Sequence, residues 1–139
     1  MRISKLRVCG TNEEFYGLQA FHQDDTRFLS LTLIGRSKTC EDIPIATNEF
    51  IKKIQVTYDS SGINFFKATT SLEVNIQRGQ PKSFDKEYIA EFQQYQPLAG
   101  FVGYELEAIT ALGFYRYMCD APPKPVEPVE KPECSEAYP

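Results

Sequence analysis

The chain has 139 residues, 42% hydrophobic and 13% aromatic, which suits one domain with a genuine core. Its formal net charge of −4 and scattered basic residues, with Lys52-Lys53 the only adjacent pair, exclude a dedicated nucleic-acid binder. No run approaches the ~20 apolar residues of a membrane span, and Met1–Val8 lacks the apolar run of a secretory signal, so no membrane insertion and an intracellular, cytoplasmic place are expected.

Three near-copies of one hexamer pace the chain: Ile3-Ser-Lys-Leu-Arg-Val8, Ile51-Lys-Lys-Ile-Gln-Val56 and Ile109-Thr-Ala-Leu-Gly-Phe114. Each is apolar at positions one, four and six. The segments after the first two copies also correspond: Gly17–Phe21 answers to Gly62–Phe66, and Leu29, Leu31, Leu33 and Gly35 to Leu72, Val74, Ile76 and Gly79. A repeat of roughly 45–60 residues does not bury its own apolar face, so the copies are expected to pack on one another.

The elements read as strands in chain order. Leu29, Leu31 and Leu33 alternate with polar residues, as do Ile54, Val56 and Tyr58, and again Leu72, Val74 and Ile76. Period two marks antiparallel strands with one face on a core. Turn signals separate them at Cys9–Asn12, His22–Asp25, Gly35–Lys38, Asp59–Gly62 and Gly79–Lys82. Positions one and four of the hexamer lie three apart, which requires a turn entry or a bulge to keep both on the core side. Residues 85–94 suit a helix capped by Asp85, but their place in the repeat and the nearby Pro97 favour a strand. The expected core includes Leu6, Val8, Leu31, Leu33, Ile54, Val56, Val74, Ile76, Leu112 and Phe114.

After about Asp120 the composition changes. Residues 121–139 hold six of the nine prolines and four glutamates against two lysines. Proline lacks the donor a ladder needs, so the tail is expected to lie extended outside the 1–120 domain, against a neighbouring chain. The four cysteines, Cys9, Cys40, Cys119 and Cys134, form no C-x-x-C and are expected as free thiols; Cys9–Cys40 or Cys119–Cys134 pairing is the alternative.

Enzymatic chemistry finds no foothold. His22, the sole histidine, sits in a turn-like stretch with no nucleophile placed beside it and reads as a surface residue. Glu13, Glu14, Asp24 and Asp25 lack a calcium-loop pattern, and no metal or cofactor is expected. The ten Phe and eight Tyr exceed what the core is expected to need. Tyr95, Tyr104 and Tyr115 could form one platform. Phe114 and Arg116 should face away from Tyr115 and Tyr117.

The hexamers, together with Pro97-Leu-Ala-Gly-Phe-Val-Gly103 leading into Ile109–Phe114, resemble the jacalin-type β-prism over residues 3–118. The egg vitelline outer-layer prisms are Trp-rich, and this chain has no Trp. The resemblance implies an all-β fold of three four-stranded Greek-key sheets about a pseudo-threefold axis. It also implies a sugar site built on a G-x-x-x-D segment before the last strand. Carried over through Ile109–Gly113, the family's aspartate falls on Thr110, whose hydroxyl cannot accept from two sugar hydroxyls as a carboxylate does. Glu107 stands four residues after Gly103, out of register by three, and the family's N-terminal Gly-Gly loop is absent.

The primary expectation is therefore a non-catalytic adaptor within a larger intracellular assembly, bound to protein subunits. Its candidate contacts are Tyr95, Tyr115, Tyr117, Pro122, Pro125, Pro128 and Tyr138. Resemblance to intracellular protist members of the family implies a ciliary or axonemal setting for it. The alternative is a lectin with a shifted site using Gly103, Tyr104, Glu107 and Thr110, with glycans as partners.

Overall fold

The computed structural model describes residues 2–23, 28–30, 33–82, 85–105, 109–119 and 134–138, and these are strands and connections without a helix. Sheet I contains β1 (Arg2–Gly10), β2 (Phe15–Gln23), β3 (Phe28–Ser30), β4 (Ile34–Gly35) and β5 (Cys40–Pro44), in the order β3-β2-β1-β5 with β4 also on β2. Sheet II contains β6 (Ile51–Asp59), β7 (Gly62–Thr70), β8 (Asn75–Gly79) and β9 (Lys86–Glu91), in the order β8-β7-β6-β9. Sheet III contains β10 (Leu98–Glu105), β11 (Ile109–Cys119) and β12 (Cys134–Tyr138), in that order. All the strand pairs are antiparallel.

Each hexamer is the start of a strand flanked on both sides: β1, β6 and β11. The spacing of three between its first two apolar residues is resolved by a bulge at position two. Ser4 falls between the pairs Ile3↔His22 and Lys5↔Phe21, Lys52 between Ile51↔Thr70 and Lys53↔Thr69, and Thr110 between Ile109↔Glu105 and Ala111↔Tyr104. The extra residue turns position one back toward the core. Ile3, Ile51 and Ile109 are accordingly buried, with Leu6, Val8, Ile54 and Val56 behind them. In sheets I and II the bulge carbonyl also takes an N–H from the residue just past the neighbouring edge strand: Ile45 to Ser4 at 2.8 Å and Phe92 to Lys52 at 2.8 Å.

One core joins the sheets. Phe66 of β7 is fully buried, stacks on Phe15 of β2 at 5.3 Å and meets Phe101 of β10 edge-on at 6.5 Å. Phe101 continues edge-on to Phe114 at 5.9 Å, and Phe114 to Phe92 at 6.0 Å. Much of the aromatic excess is thus a chain of ring contacts running through all three sheets. Polar ties accompany it. The Arg78 guanidinium donates to Glu41 at 2.6 Å, Arg116 donates to the Glu91 carbonyl at 2.6 Å, and His22 bonds the Ala99 carbonyl.

Several expectations change. Leu72 and Val74 are exposed, because β7 ends in a turn rather than running on: the Thr70 N–H donates to Val74 O, and Glu73 adopts φ 63°. β8 begins only at Asn75, which leaves Ile76 as its buried residue; Leu33 is half-buried in a connection, and Leu31 lies outside the described residues. Val8↔Leu18 and Val56↔Phe66 make Leu18 the counterpart of Phe66, three residues away from the equivalence read from Gly17 and Gly62. Gly35 and Gly79 do correspond. Both have positive φ, 93° and 84°, and a Cβ on either would fall on the carbonyl oxygen of Tyr16 or Asn64. Leu112 and Phe114 are half-buried against the core.

Residues 86–91 form the strand β9 rather than the helical alternative, since β6 would otherwise present unpaired backbone groups on that side. Among the described residues, sheet I carries two short strands on one edge of β2 and sheet III has three strands. The far end of the tail is strand β12, paired with β11 through Arg116↔Tyr138, Tyr117↔Ala137 and Cys119↔Cys134, so residues 134–138 lie on the protein's own sheet. Cys9 and Cys40 form a disulfide between β1 and β5, which corrects the free-thiol expectation at that pair. The two are direct cross-strand partners, a proximity invisible in a sequence separation of 31.

Candidate functional site

The β10–β11 hairpin gathers the sequence-derived sugar residues. Gly103 pairs with Leu112, Tyr104 with Ala111 and Glu105 with Ile109, so Gly103, Tyr104 and Thr110 share one end of the hairpin. Glu107 belongs to the connection and lies outside the described residues. Ile109, 1% exposed, anchors the start of β11 directly before the bulge at Thr110.

The bulge position is chemically available in the other two sheets. Ser4 Oγ donates to the Phe21 carbonyl at 3.3 Å, and the Lys52 ammonium pairs with Glu73; both residues are half-buried. Position two therefore carries a side chain at the edge of the fold rather than in the core, in each sheet where it is described. At the third copy a threonine offers one hydroxyl donor and two lone pairs, without formal charge. That suits one hydrogen bond to a sugar rather than the paired acceptance of a carboxylate.

The register spaces the tyrosines expected as a platform along the hairpin. Tyr104 pairs with Ala111 and Tyr115 with Gly100, four residues apart along β10, about 13 Å at the usual strand rise. Tyr95 lies half-buried in the turn before β10, near the end of the hairpin that Tyr115 occupies. Tyr115 is half-buried; Phe114 and Arg116 share the opposite face, where Phe114 stacks on Tyr88 at 6.2 Å and Arg116 lies over the Phe92 ring at 4.5 Å. Tyr117 and Tyr138 take register positions on β11 and β12, while Pro122, Pro125 and Pro128 lie outside the described residues.

His22 is not a surface residue. β2 continues to Gln23, so His22 is part of a strand rather than a turn; it is buried, and burial pushes its imidazole below the ordinary value while the bond to the Ala99 carbonyl acts the other way. It is a tie between sheets I and III. The shifted carboxylates are elsewhere: Asp42 is held low chiefly by its bond from Arg7, at 2.7 and 3.0 Å, and Asp59 by Ser61. Among the described residues no group of three or more His, Cys, Asp or Glu is placed to hold a metal ion.

Solved structures similar to this chain include lectins. A prostate-specific WGA16 glycoprotein lectin matches at 19% identity and TM-score 0.67, covering 85% of this chain and 83% of that one. Artocarpin complexed with methyl-α-mannose matches at 11% identity and TM-score 0.69, over 84% and 83% of the chains. A mannose-binding jacalin-related lectin from Ananas comosus matches at 13% identity and TM-score 0.69, over 84% and 82%. At these identities the likeness establishes the fold. A search of curated protein sequences finds no match to the chain. The family model described as the jacalin-like lectin domain matches residues 2–115, from the first strand well into β11. With three sheets on one core and all three hexamers within that span, the chain belongs to the jacalin-like lectin domain family.

Proposed function

We propose that the protein is a carbohydrate-binding lectin that engages glycans at the β10–β11 end through Gly103, Tyr104, Glu107 and Thr110. The observation that carries the reading is the bulge that sets Thr110 at the start of β11, within two residues of Ala111 and Leu112, the partners of Tyr104 and Gly103. Family membership supports the ligand class, and a family generally without enzymatic activity supports binding without turnover. The mannose named for artocarpin and the Ananas comosus lectin makes a mannoside the first probe. Without a carboxylate at Thr110 or the Gly-Gly loop, monosaccharide affinity is weak, and extended glycans are the better ligands.

Pairing of residues 134–138 with β11 weighs against the adaptor reading, which expected the tail against a neighbouring chain. The Cys9–Cys40 bond supports an oxidising compartment rather than the cytosol. Calorimetry with methyl-α-mannoside and a glycan array test the lectin reading. Wild type should bind the monosaccharide weakly or undetectably, Thr110→Asp should bind it at least about tenfold more tightly, the worth of one charge-assisted hydrogen bond, and Glu107→Ala should lose array signal. An array blank for wild type, with Thr110→Asp equally silent, would reject it.

A further inference from the structure

Cys119 closes β11 and Cys134 opens β12, and the antiparallel register sets them directly opposite one another. Directly opposed residues in such a pair have Cα atoms about 4.5–5.5 Å apart, within the span that a disulfide bridges. Sheet I already uses this device: Cys9 and Cys40 are direct partners on β1 and β5, Cys40 opens its strand, and the two are bonded. Four cysteines allow three pairings. With Cys9–Cys40 taken, Cys119 has one intrachain partner left, and the ladder places it opposite.

The strand also needs a holder. β12 has 5 residues and is joined to β11 through 14 intervening residues (120–133), 5 of them proline. It lies outside the span the family model matches. A short edge strand on a long connection has few ladder bonds to offset the ordering of its backbone.

We infer that Cys119 and Cys134 form a second cross-strand disulfide, which clips the C-terminal strand onto sheet III. The bond forms by thiol–disulfide exchange. Two thiols surrender two protons and two electrons to an oxidant of the disulfide class, oxidised glutathione in vitro, which leaves as two thiols. Reduction reverses the step and frees the edge of β11, whose unpaired N–H and C=O groups then become a pairing surface.

The test uses the full chain folded against oxidised glutathione, denatured without reductant, alkylated with iodoacetamide and cleaved after glutamate. Mass spectrometry should find all four cysteines unalkylated and one fragment pair joining Cys119 to Cys134. Alkylation of either residue, or a link from either to another chain, overturns the inference. In the Cys119→Ser, Cys134→Ser double variant the Cys9–Cys40 bond and the sheet spectrum should persist, while amide exchange across 134–138 accelerates at least about tenfold. Unchanged exchange there would refute the clip.

Discussion

Phe66 offers the most direct test of how the sheets are joined. Its ring is fully buried, stacked on Phe15 at 5.3 Å and 12°, and edge-on to Phe101 at 6.5 Å and 75°. Phe66→Ala therefore opens a cavity where sheets I, II and III meet. Truncation of a buried phenylalanine costs ~3–5 kcal/mol, which already contains most of the lost ring contacts. About 4 kcal/mol is expected here, a large share of the roughly 7–20 kcal/mol that a domain of this length possesses. With a urea slope of about 2 kcal/mol per molar, the unfolding midpoint should fall by about 2 M. A Phe66→Leu, Phe15→Leu cycle should show coupling of about 0.5–1.5 kcal/mol between sheets I and II. Val102→Ala, at an exposed site on β10, should change stability by less than about 0.5 kcal/mol. A Phe66→Ala loss below about 1 kcal/mol, or zero coupling to Phe15, would refute a single shared core.

Two further predictions concern single residues. The His22 imidazole titrates below its ordinary value in the fold, so between the two values the unfolded chain binds more protons. Stability should be whole above about pH 6.5 and decline as pH falls from there toward the lowered folded value. Urea midpoints at neutral and mildly acidic pH measure this; His22→Gln should flatten that part of the profile, and a His22-dependent gain on acidification would contradict the assignment. Gly79→Ala must place a Cβ on the Asn64 carbonyl at φ 84°, and should cost at least about 2 kcal/mol in the same assay; a loss under about 0.5 kcal/mol would show that the turn relaxes freely.

The candidate site was partly legible before folding. The family resemblance carried over Ile109–Gly113 already singled out Thr110, and the apolar spacing already called for a turn entry or a bulge, of which the structure has the bulge. What the alignment could not supply was distance along the hairpin. Tyr104 and Tyr115 looked like one platform, and only the register separates them. His22 was misread because the polar residues after it resemble a turn, while β2 runs one residue past it. Leu72 and Val74 were misread because alternation is blind to where a strand stops. The Thr70 turn breaks the strand there, and a turn closed by backbone hydrogen bonds leaves little periodic trace.

The sequence by itself determined the strand class, the threefold recurrence and the inward positions of the hexamers, because these are local properties of spacing that survive in any packing of the chain. Tertiary structure decided which strands became neighbours. Cys9 opposite Cys40, Phe66 between Phe15 and Phe101, and the C-terminal strand on β11 all join segments far apart in sequence. Such pairings are set by the common burial of three apolar faces and by the need of each exposed strand edge for a partner, and no local pattern encodes either.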